Sequence, residues 1–229
     1  MKKQIMLSIL TILLAQASHA ATGMEGGSTA VKADGETQTT QKSYYPREGA
    51  ISMLTPQIGI NLSTITGDGQ TSDSNGGLTA GVTMDLGRGN LVFETGALYR
   101  QEGAKNSNHG VDLTLDLDYT SVPLLAKYYF NGAEYNSPFV SLGAMPSFLV
   151  SKKAEVSAYG YSDSTSSVEG VSSFVLDAMF ALGGKFKASE TTDIVIQGTY
   201  SRSLTSVSTN ESGVANSVVG VTIGMGFNL

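Results

Sequence analysis

Gly220-Val221-Thr222-Ile223-Gly224-Met225-Gly226-Phe227-Asn228-Leu229 are the last ten residues of the chain, and large apolar side chains alternate there with small or polar ones without a break. A period of two residues predicts a β-strand with one apolar face and one small or polar face. A terminal strand whose outer face is fully apolar needs surroundings that bury it. A bilayer supplies such surroundings, so the stretch predicts a strand that faces lipid.

The same residues resemble the signal with which outer-membrane barrels end: a polar residue, a glycine and two apolar residues at fixed spacing. Thr222, Gly224, Phe227 and Leu229 occupy these positions, with Leu229 where a phenylalanine is more usual. The resemblance implies that these four residues form an assembly signal, which the outer-membrane assembly machinery recognises.

The other end of the chain is typical of a secreted protein. Lys2 and Lys3 precede an apolar run from Ile5 to Ala15, and small residues at 18 and 20 complete a cleavage site. The run has about half of the ~20 residues that a membrane-spanning helix needs, which argues against an uncleaved anchor. We therefore expect a signal peptide over residues 1–20.

Composition excludes several classes of protein and site. The formal net charge is −6 and no basic cluster is present, which argues against nucleic acid as a partner. The absence of cysteine excludes a lipoprotein anchor, disulfides and thiolate metal sites. Beyond the signal peptide no stretch is apolar enough for a transmembrane helix, so any membrane span must be a β-strand.

The chain divides into a tail and a strand-rich region. Residues 21–49 are rich in Gly, Thr and Ser without periodicity, which predicts a flexible tail on the periplasmic side. Residues 50–229 predict eight strands, at about 51–63, 78–86, 91–100, 112–130, 138–150, 173–186, 193–204 and 217–229. The links between them alternate between short and long, and the long ones are 64–77, 101–111, 151–172 and 205–216.

Short periplasmic turns and long outer loops around an even number of strands are typical of outer-membrane barrels. A soluble eight-stranded barrel of the lipocalin kind is the alternative, with apolar residues inside and polar ones outside. The second face of these strands carries Gly, Ser, Thr, Asp, Lys and Glu, which suits a lumen. We therefore predict an all-β protein, an eight-stranded antiparallel up-and-down transmembrane β-barrel in the cell outer membrane.

Three segments add a resemblance to a family. They are Tyr119–Phe130 (YTSVPLLAKYYF), Phe139–Phe148 (FVSLGAMPSF) and Ile194–Leu204 (IVIQGTYSRSL). They resemble the outer-membrane β-barrel domain family, often labelled porin-family or PorT-like, although Thr199 stands where that family usually has arginine. The resemblance covers about residues 50–229 and implies an eight-stranded barrel; it says little about activity, because these barrels vary widely in role.

The small and polar face places six ionisable residues in the predicted lumen: Asp85, Glu94, Arg100, Lys127, Asp177 and Lys185. Up-and-down threading puts four of them near the periplasmic end, where Lys127 and Lys185 would neutralise Asp85 and Glu94. The interior of an eight-stranded barrel is just wide enough to be filled by side chains. We therefore interpret the six as a plugging and stabilising network, with a gated narrow pore as the alternative.

The fourth predicted strand has conflicting patterns. Leu113, Leu115, Leu117 and Tyr119 occupy odd positions, whereas Leu124, Ala126, Tyr128 and Phe130 occupy even ones. One strand keeps both sets on its outer face only if the alternation slips. We expect a β-bulge or local break between Tyr119 and Pro123.

No residue pattern indicates catalysis, a cofactor or a metal site. His109 is the single histidine beyond the signal peptide and falls in a predicted loop; a lipid A-modifying barrel enzyme is the alternative that it leaves open. The expected role is non-enzymatic, structural or in surface interaction through four extracellular loops. The expected partners are outer-membrane lipid and lipopolysaccharide, the assembly machinery and an unidentified surface ligand, with the protein itself a monomer.

Overall fold

The computed structural model of the protein describes residues 51–229, apart from 68–69, 109–110, 134, 159–160, 166–167, 169 and 211–212. The predicted signal peptide (1–20) and flexible tail (21–49) lie outside the described residues. Within the described part of the chain, no helix is long and apolar enough to cross a membrane.

Eleven β-strands follow one another along the described part of the chain. They are β1 (Ile51–Gly67), β2 (Gln70–Thr71), β3 (Asp73–Leu86), β4 (Leu91–Asn108), β5 (Val111–Ser121), β6 (Leu124–Tyr129), β7 (Ser137–Ala158), β8 (Tyr161–Thr165), β9 (Phe174–Lys187), β10 (Thr192–Ser203) and β11 (Ala215–Asn228).

The strands close into a ring. The order is β11-β10-β9-β7-β5-β4-β3-β1, and β11 also pairs with β1. β6 continues the position of β5 between β4 and β7, so the ring has eight strand positions. Neighbours in the ring follow one another along the chain and are antiparallel, β1 and β11 included. The predicted eight-stranded antiparallel up-and-down barrel is confirmed.

The barrel carries polar side chains inside and apolar ones outside. On β1, Ile60 is 67% exposed, whereas its neighbour Asn61 is 5% exposed. On β11, Val221 and Ile223 face outward on either side of the buried Thr222. A soluble barrel has the opposite arrangement, so the lipocalin alternative is excluded and the exterior is that of a barrel in lipid.

The two ends of the barrel differ in their connections. At one end, which we call the turn end, short links join Leu86 to Leu91, Tyr129 to Ser137 and Lys187 to Thr192. At the other, the hairpin end, strands extend through most of three links that were predicted to be long loops: Asn108 pairs with Val111, and Ala158 pairs with Tyr161. Composition predicted loops there, but the Ser, Asn and Asp residues take part in long antiparallel ladders.

The slip predicted in the fourth strand position is wrong. Odd-numbered residues are buried without interruption from Leu117 in β5 to Tyr129 in β6. Leu117 and Tyr119 lie inside the lumen and pack with Val175 and Val207. They belong to an internal apolar cluster rather than to the lipid-facing surface, so the alternation has no reason to slip.

The local break predicted between Tyr119 and Pro123 does occur, but the alternation continues in step across it, and the bulge lies on another strand. β5 ends at Ser121 and β6 begins at Leu124, because Pro123 has no N–H to continue the ladder. The bulge lies on the neighbouring strand β7: Asp118 pairs with Ser151 and Tyr119 with Leu149, which leaves Val150 as the extra residue.

Candidate functional site

The barrel interior contains every ionisable residue that was predicted to face it. Each of the six is 5% exposed or less: Asp85, Glu94, Arg100, Lys127, Asp177 and Lys185. They belong to two networks. The turn-end network is built around Lys127 and Lys185, and the upper network is built around Arg100.

In the turn-end network, one lysine holds two opposed carboxylates. Asp85 on β3 and Glu94 on β4 are directly opposite in the ladder, where like charges repel. The Nζ atom of Lys127 lies 3.0 Å from Asp85 Oδ1 and also pairs with Glu94. The Tyr129 hydroxyl donates to Asp85 Oδ2 at 2.6 Å. Removing the lysine would therefore leave two buried like charges side by side.

Lys185 does not join this pair, contrary to the prediction. Its Nζ atom lies 3.2 Å from Asp193 Oδ2 and donates to the Ala133 carbonyl. The register of the two strands explains why Lys185 pairs with Asp193. Asp193 on β10 opposes Lys187 on β9, so Lys185 is the diagonal neighbour of Asp193 on the inner face. Asp193 was not among the predicted lumen residues, although it has the same inward parity as Gln197 on that strand.

The upper network joins one arginine to two carboxylates. Arg100 lies 2.7 Å from Glu102 Oε1 and 3.5 Å from Asp177 Oδ2, and it donates to Ser201 Oγ at 2.9 Å. The Asn216 side-chain amide donates to Glu102. Glu102 was missed because its segment was predicted to be a loop; in the structure it continues β4 and is 6% exposed.

Apolar clusters pack in the lumen at the level of each network. The turn-end seal consists of Met53, Val92, Tyr129, Phe139 and Val195, against which Ala133 of the adjacent turn packs. The hairpin-end seal consists of Leu117, Tyr119, Val175 and Val207. Charged and apolar side chains thus occupy the interior from one end to the other, as the width of an eight-stranded barrel allows.

The described side chains do not assemble a recognisable catalytic or metal site. Within the described ranges, no group of three or more His, Cys, Asp or Glu residues could hold a metal ion. His109, on which the enzyme alternative rests, lies outside the described residues. The carboxylates in the two networks are held in ion pairs.

Aromatic pairs mark two levels on the outer surface. Tyr128 and Phe130 pack edge to face near the turn end, with ring centroids 5.4 Å apart. Phe148 and Phe174 pack at the same centroid distance toward the hairpin end. Aromatic girdles of this kind flank the ~25 Å apolar band of outer-membrane barrels. The lipid-facing band therefore lies between the two pairs.

The model of the outer membrane protein beta-barrel domain family matches residues 15–209 of the sequence. The chain belongs to this family. This beta-barrel domain protein lies in the cell outer membrane. Because outer-membrane barrels have short periplasmic turns and long outer hairpins, the turn end faces the periplasm and the hairpin end faces outward.

Several solved outer-membrane proteins are similar to this family member. Ail of Yersinia pestis, solved with the heparin analogue sucrose octasulfate, is 19% identical over 79% of this chain and 100% of its own, with a TM-score of 0.42. Neisserial surface protein A is 15% identical over 77% and 97%, and OprG of Pseudomonas aeruginosa 16% over 80% and 97%, each with a TM-score of 0.44. Among curated proteins, none matches the sequence.

The residues of the expected assembly signal differ in their surroundings. Thr222 is buried and donates to Gln57 Oε1 at 3.0 Å, and a methyl group at Gly224 would lie 2.7 Å from Thr55 Cγ2. Phe227 and Leu229 instead face outward, 40% and 67% exposed. We propose that the first two are needed for packing, and that the assembly machinery recognises the exposed pair.

Lys127→Met should lower the temperature at which the folded barrel loses its compact gel mobility, because it leaves Asp85 and Glu94 buried and unpaired. The free energy of unfolding is expected to fall by roughly 3–5 kcal/mol. Lys187→Met, which removes an exposed lysine from β9, is the matched control. Adding Glu94→Gln to Lys127→Met should recover part of the loss. Equal melting of Lys127→Met and the control would contradict the network.

Phe227→Ala should sharply reduce the amount of the barrel in the outer membrane of cells, while the purified variant still refolds in detergent. Phe186→Ala removes a similarly exposed aromatic ring from β9, outside the terminal strand, and should leave cellular levels nearly unchanged. Immunoblots of outer-membrane fractions measure the difference. Equal levels of the two variants would show that Phe227 is a lipid-facing residue without a recognition role.

Proposed function

We propose that this barrel is a non-enzymatic surface protein that binds a partner through its extracellular hairpins. The observation that carries the proposal is a sheet that rises above the barrel on one side, which we call the extracellular sheet. It consists of the outer parts of β4, β5 and β7 together with β8, at residues 103–108, 111–117, 150–158 and 161–165.

One face of the extracellular sheet, which we call its apolar face, carries an apolar strip between Asn106 and Asp163, and the opposite face is charged. Val111, Leu113 and Val156 lie on the face that continues the lumen side of the barrel, and they are 37%, 45% and 44% exposed. Leu113 and Val156 are direct cross-strand partners. The opposite face carries exposed charges, among them Lys153 and Glu155, whose Nζ and Oε2 atoms are 3.3 Å apart. Exposed apolar patches rimmed by polar residues mark interaction sites.

The apolar face is continuous with the hairpin-end seal. Along β5, the inward residues change from Leu117, which is fully buried, through the partly buried Leu115 to the exposed Leu113 and Val111. A rigid, sealed barrel therefore supports the exposed end of the same apolar row. A binding surface held this way loses little conformational entropy when a partner arrives.

The sealed interior argues against the narrow-pore alternative. Every carboxylate of the two networks pairs with a lysine or an arginine, and an apolar cluster packs in the lumen at the level of each network. We also propose that the protein is a monomer, that outer-membrane lipid and lipopolysaccharide surround it, and that the assembly machinery inserts it. Nucleic acid is not among the proposed partners.

A photoactivatable residue at Leu113 or Val156 should give covalent adducts with a protein or surface glycan on intact cells. The same residue at Leu182, which is 57% exposed on the lipid-facing side, is the matched control and should give none of these adducts. Leu113→Asp should abolish the adduct formed at position 156, because a charge on that face disfavours apolar contact. Adducts no different from those at Leu182 would overturn the proposal.

The purified barrel should produce no conductance steps in planar bilayers, because its lumen is filled. Lipid A mass spectra should also be the same for cells that carry the wild type, the His109→Ala variant or neither. Regular conductance steps would favour the pore, and a lipid A species lost in His109→Ala would favour the enzyme.

A further inference from the structure

The central lysine of the turn-end network lies between two carboxylates in a buried, aromatic part of the lumen. Asp85, Glu94 and Lys127 are each 2% exposed. Nζ of Lys127 lies 4.9 Å from the centre of the Phe139 ring and 5.7 Å from that of the Tyr129 ring, and both rings are fully buried. Charges removed from water in this way are costly even when they are paired. A reaction that removes a buried pair of charges is therefore favoured at this place.

Three neighbouring strands hold the three charged side chains. At this level β4 lies between β3 and β6, because Glu94 pairs with Asp85 of β3 on one side and with Leu125 of β6 on the other. Lys127 opposes Val92, so it is the diagonal neighbour of Glu94 on the inner face. A bond between Lys127 and Asp85 would thus cross β4 and join two strands that do not pair with each other.

The contacts of Asp85 are those that amide formation needs. Nζ of Lys127 lies 3.0 Å from Oδ1, and the carbon atom that it would attack is one bond further away. The Tyr129 hydroxyl donates to Oδ2 at 2.6 Å, so it polarises the carboxyl group and would stabilise negative charge on this oxygen during the attack. Glu94 also pairs with Nζ, which positions a second carboxylate to take a proton from the nitrogen. The fold therefore holds a nucleophile, an electrophile and a proton acceptor together.

We propose that Lys127 and Asp85 condense into an intramolecular isopeptide bond, with Glu94 as the catalytic residue of this one reaction. A proton first passes from Lys127 to Asp85, which gives an amine and a carboxylic acid. The amine attacks Cγ of Asp85, and Glu94 takes one proton from the nitrogen. Glu94 then gives this proton to the hydroxyl group, which leaves as water. A C–N bond replaces one C–O bond, two opposite charges disappear, and the carboxylate of Glu94 is regenerated.

The surroundings favour the bond over its hydrolysis. The reaction releases water, and a site from which water is excluded disfavours the reverse attack. A neutral amide replaces an ion pair, so the cost of burying two charges is removed. The closed barrel also holds the reacting groups in contact, which replaces an encounter between separate molecules. The bond should therefore form only after the barrel has folded.

The second lysine of the turn-end network provides an internal comparison. Lys185 and Asp193 are each 2% exposed, and Nζ lies 3.2 Å from Oδ2. Among the described residues, the further polar contacts of these two side chains are with the Ala133 carbonyl and the Asn228 amide, and no second carboxylate takes part. Without a group to carry the proton, Lys185 and Asp193 should remain an ion pair.

Intact-mass spectrometry of the full barrel tests the proposal. Chains kept in denaturant from the start should have the mass of the sequence, and refolding in detergent should make them lighter by the mass of one water molecule. Proteolysis should then release a branched peptide in which Lys127 is joined to Asp85, whereas peptides that contain Lys185 should be unbranched. Tandem mass spectrometry identifies the joined residues.

Two variants remove one reacting group each. Folded Glu94→Gln should keep its full mass because the proton carrier is lost, and folded Asp85→Ala should keep it because the electrophile is lost. Lys187→Met removes an exposed lysine and is the matched control, which should lose water as the wild type does. The refolding wild type tests the proposal without any variant, so the test holds even if neither variant folds.

Four results would each overturn the proposal. They are a folded wild type with the full mass of its sequence, loss of water without a branched peptide, a branch at Glu94 instead of Asp85, and loss of water in folded Glu94→Gln or Asp85→Ala. Loss of water without a branch would indicate a succinimide.

Discussion

Closure of the sheet is the constraint on which this structure depends. In hydrocarbon, every backbone N–H and C=O group needs a protein partner, so an open strand edge cannot persist. β1 and β11 satisfy the requirement by pairing from Met53 with Asn228 to Thr66 with Ala215. The first and last strands of the barrel are therefore neighbours in space, and the terminal alternation of Val221 to Leu229 becomes one side of the closing seam.

Closure with eight strands also determines what the interior can contain. The lumen is narrow enough to be filled by side chains, and alternation sends the polar half of each strand into it. Buried charges need partners, which Lys127, Lys185 and Arg100 provide. Because side chains and their ion pairs occupy the interior, we infer that the barrel contacts other molecules through its exterior, where the apolar face of the extracellular sheet is exposed.

The alternation of residue types along each strand predicted those features of the fold that depend on which face of the strand a residue occupies. The terminal alternation, the eight strand positions and the inward placement of Lys127 and Arg100 follow from a two-residue period. Features that depend on pairing between distant strands were not predictable in this way. Lys185 pairs with Asp193 because of the register of β9 with β10. Leu117 faces the lumen because it packs there in one cluster with Val175 and Val207. Between Ser74 and Thr79, β3 likewise has one residue more than β4 has between Arg100 and Ala104, and the sequence of neither strand shows this bulge alone.

The closing seam can be measured directly in cells, because the chain has no cysteine of its own. Ile58 and Ile223 are register partners across the seam, whereas Val219 pairs with Leu62 and lies four residues further along. Directly opposed residues have Cα atoms ~4.5–5.5 Å apart, within the range that a disulfide bridges. Ile58→Cys combined with Ile223→Cys should therefore form an intramolecular disulfide in outer-membrane fractions under mild oxidation, seen as a shift in gel mobility that a reductant reverses, and Ile58→Cys combined with Val219→Cys should not. No disulfide in the first pair, or equal disulfide formation in both, would contradict a barrel closed in this register.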